Sequence, residues 1–286
     1  MASRCVFRFT GTDRFRYLNG QVTNDLAKAA KDRAIYACVA TAKGKLEGDL
    51  FLAPHPDGQS FWVDGPGELR EALLARLEKF IIADDVAVED LTAEVAIWHV
   101  LGQEPPATAG WNRRANRFGT EGWDVVATAG ADPLRGFAAL DPAAVEEFRL
   151  ACGVGIWGRE LGPEVLPQEA QLQDRAVDFH KGCYVGQEVI SRIKSVGKVN
   201  RELCVLVKVS DDEWPLAPGD SLWDGAAEAG WITSVSEPCR LPRIIALGYV
   251  KRGSCEPGTE LTCRRADRDR FCRMEVRLAP LRELNE

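Results

Sequence analysis

Residues 180–201 read HKGCYVGQEVISRIKSVGKVNR, and the character of the sequence changes where this stretch ends. The runs that follow are short, rich in β-branched and aromatic residues, and separated by turn residues: ELCVLVKVS, DSLWD, AGWITSVS, RIIALGYVK, TELTCR and RFCRMEVRL. Runs of this length and spacing predict a compact antiparallel barrel or sandwich. We therefore expect a domain boundary near residues 195–202.

The region before this boundary alternates between predicted helices and strands. Apolar residues at helical spacing favour helices at 12–27 and 67–82. Asp141 can cap a further helix, with Pro142 at the first helical position and an end near Ala151. The predicted strands are 34–41, 49–53, 86–89, 94–101 and 122–128, and 102–122 is predicted to be mostly loop.

The composition is that of a globular chain of 286 residues, of which 45% are hydrophobic and 28% are charged. This length predicts about two domains. The 36 Lys and Arg are outnumbered by 43 Asp and Glu, and the net charge of −7 argues against direct binding of nucleic acid. Because no apolar run approaches bilayer length and the N-terminus has no secretory apolar segment, we expect a cytoplasmic protein without a membrane partner.

The nine cysteines are odd in number, irregularly spaced and without a Cys-x-x-Cys pair. This pattern favours reduced thiols, most of which serve as small core residues. Cys38 and Cys204 lie in apolar strand runs and are expected to be buried. The three histidines are scattered along the chain, so we predict no metal site.

Within the opening stretch, Cys183 stands two residues after Lys181. A neighbouring cation favours the thiolate form, and a helix that starts at Gln187–Glu188 would add to this effect. The stretch also gathers five cations against one carboxylate, which makes it a candidate anion site in an acidic chain. The residues alone leave a second interpretation open, namely a buried cysteine in a glycine-rich turn beside a solvated charged strand.

The segment Lys-Gly-Cys-Tyr-x-Gly-Gln-Glu at 181–188, followed by Arg192, resembles the signature of the YgfZ family. These proteins are folate-binding relatives of the glycine-cleavage T-protein, an aminomethyltransferase, and are linked to iron–sulfur cluster assembly and repair. Further segments are similar to the same family: GTDRFRYLNGQVTNDL at 11–26, AKGKLEGDLFL at 42–52 and FRLACGVGIWGRELGPEVLPQEAQL at 148–172. The resemblance covers most of the chain and is weakest over 100–140 and toward the C-terminus.

This resemblance implies an α+β fold of the T-protein kind. Two interleaved α+β portions, about 1–90 with 140–200 and 91–139, would form a folate cleft. Residues 201–286 would form a C-terminal antiparallel β-barrel, in agreement with the change of sequence character near residue 200. The implied cofactor is tetrahydrofolate or another reduced folate.

The resemblance also implies roles for single residues. Cys183 would be the functional centre and, with Lys181, a catalytic candidate. The other polar positions of the motif would bind folate: Tyr184, Gln187, Glu188 and Arg192. Asp124 is similar to the T-protein Glu that accepts two N–H groups of the pterin, although an ordinary solvent-facing strand residue is an alternative. Asp49 is similar in place to the catalytic Asp of the T-protein.

These features favour one function and leave two others open. The leading hypothesis is a tetrahydrofolate-binding accessory protein that supports assembly or repair of iron–sulfur enzymes. Its partners would be iron–sulfur client enzymes or assembly proteins, and Cys183 would be its reactive thiol. The alternative is a folate-dependent aminomethyltransferase or demethylase-type one-carbon enzyme that uses Asp49. A plain thiol-redox protein is a third hypothesis, but no second cysteine lies near Cys183 in the sequence.

Overall fold

The computed structural model describes residues 3–211, 215–236, 241–265 and 271–281. The chain divides into two compact units. The first comprises Met1–Ala138, Gly162–Pro167 and Leu172–Ser195, and the second Ala139–Leu161, Gln168–Gln171 and Val196–Glu286. The segment 139–161, which the resemblance grouped with the N-terminal region, lies in the second unit here. Within the described ranges no helix is both long and apolar enough to cross a bilayer.

The first unit is built on a five-stranded antiparallel sheet in the order β2-β3-β4-β1-β5. Its strands are β1 (Arg4–Thr10), β2 (Ile35–Ala40), β3 (Leu46–Pro54), β4 (Phe61–Pro66) and β5 (Ala87–Asp90). One face packs on helices α1 (Arg14–Gln21) and α2 (Arg70–Glu78) through apolar side chains such as Leu18, Val63 and Leu73. Because side chains alternate along a strand, the residues between these apolar positions point to the opposite face, which carries buried polar groups.

A second sheet in the same unit has three antiparallel strands in the order β6-β8-β7. They are β6 (Val95–Val100), β7 (Trp111–Ala115) and β8 (Gly122–Thr128). The prediction of a mostly irregular loop at 102–122 is therefore wrong for β7. The strand could not be recognised because the charged Arg113, with 1% exposure, occupies one of its two buried positions. The run WNRRA therefore lacks regular apolar alternation.

Helix α1 is shorter than the helix predicted for 12–27, because the chain becomes extended at Val22. The next residue, Thr23, bonds to the edge strand β2. Its backbone N–H donates to the carbonyl of Cys38 at 3.0 Å, and its hydroxyl accepts the N–H of Cys38 at 2.8 Å. The backbone that follows α1 is thus committed to the sheet rather than to another helical turn.

The second unit contains a closed antiparallel barrel in the strand order β10-β11-β12-β9-β14-β13. Its strands are β9 (Arg201–Lys208), β10 (Ser221–Asp224), β11 (Ala227–Val235), β12 (Ile245–Lys251), β13 (Glu260–Arg264) and β14 (Phe271–Arg277). This confirms the barrel predicted from the C-terminal runs. Cys204, Cys263 and Cys272 are buried in its apolar core, as expected for small core residues.

Helix α3 (Pro142–Ala151) begins where the sequence predicted. The side chain of Asp141 accepts the N–H of Ala143 at 2.8 Å, and Pro142 takes the first helical position. Arg149 on this helix pairs with the buried Glu160 at 3.2 Å. Glu160 in turn accepts the hydroxyl of Ser234 on β11, so α3 is tied to the barrel by buried polar contacts.

Candidate functional site

The short helix α4 (Gln173–Ala176) precedes the motif at 181–188. The motif forms the loop that leads into helix α5 (Gln187–Ser195), which begins at the predicted residue. Cys183 is exposed in this loop. Among the other cysteines that the structure describes, Cys255 is half-buried and the remaining six are buried. The interpretation of Cys183 as a buried cysteine is therefore wrong. Its thiol meets one of the two conditions for reactivity, which is access.

Gly186 seats this loop against the hairpin between β2 and β3. Its φ of 86° lies in the left-handed region, and a Cβ at this position would lie 2.5 Å from the carbonyl oxygen of Thr41. A side chain here would be strained and would also collide with backbone that cannot easily move. Position 186 requires glycine because the loop that carries the thiol and the backbone at Thr41 approach each other closely there.

Lys181 is buried, and its ammonium is surrounded by backbone. Its Nζ donates to the carbonyl oxygens of Asn19, Val22 and Asn24 at 2.6, 2.8 and 2.7 Å. An ammonium has three N–H donors, so these carbonyls use all of them. Burial lowers the pKa of Lys181 to about 8, although the charges of Asp25 and Asp178 oppose this effect. The side chain of Lys181, which was expected to activate the thiol, therefore uses its hydrogen bonds on the backbone of the segment 19–24.

Asp178 fixes the backbone at the start of the loop through hydrogen bonds. One carboxylate oxygen accepts the N–H groups of His180 and Lys181 at 2.6 and 3.0 Å. The other pairs with the ammonium of Lys28 at 2.7 Å. The hydrogen bond from Lys28, together with these backbone donors, lowers the pKa of Asp178 to about 2. The loop is therefore preceded by an ionised carboxylate, that of Asp178, both of whose oxygens have partners.

The remaining motif residues divide between the interior and the surface. Tyr184 is buried in an apolar cluster, its hydroxyl has no hydrogen-bond partner among the described residues, and burial raises its pKa to about 12. Gln187 is half-buried, with its amide near the carbonyl of Lys181 at 3.5 Å. Glu188 and Arg192 are exposed on α5. The buried Tyr184 thus presents an unused hydrogen-bonding atom to the interior.

Asp49 lies on β3, on the polar face of the five-stranded sheet. It is 8% exposed, and the hydroxyl of Tyr36 donates to its Oδ2 at 3.3 Å. Its Oδ1 has no partner among the described residues. Burial raises the pKa of Asp49, although Arg4 and Arg117 lower it. An unpartnered buried carboxylate oxygen is costly, and a ligand N–H is one group that would satisfy it.

Asp124 on β8 has both carboxylate oxygens engaged. Arg117 donates to Oδ1 and Oδ2 at 2.7 and 2.8 Å, and Nδ1 of His99 lies 2.9 Å from Oδ1. Burial opposes ionisation, but the charges of Arg117 and Arg113 and the hydrogen bonds from His99 and Arg117 together hold the pKa of Asp124 well below its usual range. The residue is fully buried, so the alternative of a solvent-facing strand Asp is wrong. Both oxygens of Asp124 are therefore already engaged by side chains of the same unit.

The network around Asp124 continues to the five-stranded sheet. Asp64 on β4 pairs with Arg113 at 2.6 Å, with Arg117 at 3.0 Å and with Arg4 at 2.8 Å. None of these four residues is predicted from the sequence. An isolated Asp in the apolar run FWVDGP is a signal for a buried ion pair, but Arg113 and Arg117 lie in a run that is typical of a solvated loop. Within the described ranges, no group of acidic, His and Cys side chains is arranged to hold a metal ion.

Comparison with known proteins defines the fold class. Residues 201–281 match the glycine cleavage T-protein C-terminal barrel domain. The crystal structure of glycine cleavage system aminomethyltransferase T from Bartonella henselae aligns with a TM-score of 0.82 and 18% sequence identity, over 98% of this chain and 84% of that chain. The fold is therefore T-protein-like, α+β with a closed C-terminal barrel, as the sequence predicted.

The predicted resemblance to YgfZ proteins is also confirmed. A protein named tRNA-modifying protein YgfZ from Escherichia fergusonii is 29% identical over 221 residues, which cover 69% of this chain and 67% of the relative. The protein of the same name from Escherichia coli strain K12 has the same identity and coverage. The chain is thus a relative of the YgfZ proteins on a T-protein-like fold.

Proposed function

We propose that the chain is a tetrahydrofolate-binding accessory protein for iron–sulfur enzymes, with Cys183 as its reactive thiol. The observation that carries this proposal is the contrast between the exposed Cys183 and the buried surroundings of its loop. A thiol that served packing would lie inside, as Cys38 and Cys204 do. The similarity to YgfZ proteins supports the same assignment.

The name of the relatives suggests the kind of client. They are called tRNA-modifying proteins, whereas this chain carries a net charge of −7. A protein that itself held tRNA would usually be basic. Both observations fit a cytoplasmic protein that supports an iron–sulfur enzyme of tRNA modification. The partner of the chain would then be that enzyme rather than the RNA.

Folate would bind on the polar face of the five-stranded sheet. A reduced pterin carries N–H donors, and Oδ1 of Asp49 is a buried acceptor without a partner among the described residues. The rings of Tyr36 and Phe51, with centroids 4.8 Å apart, provide an aromatic wall beside it. Asp124 would have to exchange Arg117 for the pterin, so we assign it a supporting role.

The motif residues other than Cys183 and Lys181 are proposed to bind folate at the edge of this face. Tyr184 would donate its free hydroxyl, and Gln187, Glu188 and Arg192 would contact the polar parts of the cofactor. Bound folate supplies one-carbon chemistry. The contribution of the chain is to orient the cofactor through the carboxyl of Asp49 and to keep Cys183 accessible.

A second candidate function is a folate-dependent one-carbon transferase. It is favoured by the raised pKa of Asp49 and by its unpartnered oxygen, since a buried carboxylate of this kind can take a proton from a substrate amine. The two functions differ in whether they need the thiol. The accessory protein depends on the Cys183 thiol as well as on folate bound at Asp49, whereas the transferase depends on the Asp49 carboxylate and not on the thiol.

Complementation separates the two functions. A bacterium that lacks its own relative of this protein would receive Cys183→Ser, Asp49→Asn or the matched control Cys255→Ser, and the activity of its iron–sulfur tRNA-modifying enzymes would be measured. We expect loss of support with Cys183→Ser and normal support with Cys255→Ser. Full support by Cys183→Ser together with loss in Asp49→Asn would overturn the accessory function in favour of the transferase.

A further inference from the structure

We propose that Lys181 is a positioning residue, which fastens the Cys183 loop to the segment 19–24 and through that segment to strand β2. This inference rests on the proposed function, in which Cys183 is the working thiol. It replaces the expectation that Lys181 acts on the thiol by its charge. Three observations carry it: the saturation of the ammonium, the contacts of the segment 19–24, and the chemistry that a cluster of carbonyls selects.

The first observation is that the ammonium has no free donor. The carbonyl oxygens of Asn19, Val22 and Asn24 lie at 2.6, 2.8 and 2.7 Å from Nζ, all at good hydrogen-bond length. Lys181 is 9% exposed. Hydrogen bonds to a charged donor are stronger than neutral ones, and a buried charge that lost them would be costly. The side chain is therefore held in one place.

The second observation is that the segment 19–24 is itself tied to β2. Thr23 exchanges two hydrogen bonds with Cys38, and the side-chain amide of Asn24 donates to the carbonyl of Tyr36 at 2.8 Å. Tyr36 donates its hydroxyl to Asp49. A continuous series of polar contacts thus runs from the Cys183 loop, through Lys181, to the residues proposed to contact folate.

The third observation concerns the choice of lysine. Three carbonyls that converge on one nitrogen suit a compact ammonium with three N–H donors. A planar guanidinium directs its donors into a fork and does not match this arrangement. If Lys181 acted on Cys183 only through its positive charge, arginine could replace it, because arginine keeps that charge. Lys181→Arg therefore distinguishes positioning from activation by charge.

The test compares Lys181→Arg and Lys181→Met with Lys198→Met, which removes an exposed cation from the same basic stretch. Two properties are measured in the purified full-length chain: amide hydrogen exchange in 19–24 and 178–186, and the alkylation rate of Cys183 against pH. We expect exchange in both segments to rise by about 10-fold or more in both Lys181 variants and to be unchanged in Lys198→Met. The pH midpoint of alkylation should stay at the wild-type value in all three.

The opposite pattern would overturn the proposal. If Lys181→Arg matched the wild type in exchange and in alkylation, while Lys181→Met moved the alkylation midpoint to higher pH, Lys181 would act by charge. Neither readout requires folate or an iron–sulfur enzyme, so failure of the proposed function would leave this result intact.

A measurement on the unmodified protein covers the case in which the variants do not fold. Native chain is treated with an amine-acylating reagent, and the labelling rate of each lysine is read by peptide mapping. An accessible lysine with a lowered pKa would react early, because more of it is neutral. We expect Lys181 to react last, well after the exposed Lys194 and Lys198. Early labelling of Lys181 would show that the carbonyls do not hold it.

Discussion

Arg117 donates to both oxygens of Asp124, at 2.7 and 2.8 Å, and also reaches Asp64 at 3.0 Å. One guanidinium therefore joins the three-stranded sheet to the five-stranded sheet of the same unit. Both carboxylates are buried, so each depends on the arginine for its charge to be tolerated. The position that the family resemblance assigned to the pterin is occupied by an internal ion-pair network.

Removal of the Asp124 charge should destabilise the first unit. Asp124→Asn leaves Arg117 and Arg113 with one buried carboxylate fewer, and breaking a buried pair of this kind costs about 3–5 kcal/mol. Urea unfolding at pH 7 measures the change. The matched control is Asp132→Asn at an exposed position, which should unfold as the wild type does. Equal stability of Asp124→Asn and the control would show that the network contributes no net stability.

Folate affinity should depend on Asp49 more than on Asp124. Loss of a charge-assisted acceptor in Asp49→Asn should cost about 1.5–3 kcal/mol, which is roughly 10- to 150-fold in Kd. Calorimetry with tetrahydrofolate measures this at a temperature where both variants are folded. If Asp49→Asn bound normally and Asp124→Asn lost binding, the pterin would have displaced Arg117, and the assignment from the resemblance would be restored.

Among the cysteines that the structure describes, alkylation of the native protein near neutral pH should label Cys183 first and Cys255 second. Cys38 and Cys204 should be slow, because both are buried; burial raises the pKa of Cys204 to about 12 and that of Cys38 further still. Peptide mass mapping after short exposure to iodoacetamide gives the order, and Cys183→Ser identifies the first labelled peptide. Rapid labelling of Cys38 would mean that β2 opens at the sheet edge.

Acid should weaken the first unit through Asp64 and Asp124. Burial opposes their ionisation, but the neighbouring arginines hold the pKa of both below the usual range. The unfolded chain then binds more protons than the folded chain once the pH falls below about 4. The stability that these groups provide is complete above that pH and is lost as the pH falls toward their folded values.

A series of urea unfolding curves from pH 7 to pH 3 tests this sign. The free energy of unfolding of the wild type should fall more steeply with acid than that of Asp124→Asn, which has already lost one of the two groups. Asp49 has the opposite sign, since its pKa is raised, but it is present in both proteins and does not affect the comparison. Parallel curves would contradict the prediction.

The parts of the fold that sequence could predict are those with a local signal. The barrel follows from apolar alternation within each strand, and the start of α3 follows from Asp141 and Pro142. The surroundings of Lys181 could not be predicted in this way. Its carbonyl partners lie 157 to 162 residues earlier in the chain. The motif made Lys181 a candidate for activating the thiol, and only the fold shows what its ammonium contacts.

The polar face of the first unit was hidden for a related reason. Arg113 and Arg117 can be buried because Asp64 and Asp124, on other strands, neutralise them. The sequence around the two arginines, taken alone, has the composition of a surface loop. Asp49 was found through the resemblance, but its unpartnered oxygen is visible only in three dimensions. The subdomain limits 1–90 with 140–200 and 91–139 stay a prediction, as do the folate contacts.

The left-handed turn at Gly186 has a consequence for how this motif tolerates mutation. Every side chain at that position meets the same obstacle, the carbonyl of Thr41, whatever its chemistry. Cys183 faces solvent, so its replacement leaves the loop sterically unchanged. A library selected only for soluble, folded protein would therefore keep glycine at one position of the motif and admit many residues at the other. A library selected for biological activity would fix both, and the difference between the two libraries would separate architecture from chemistry within eight residues.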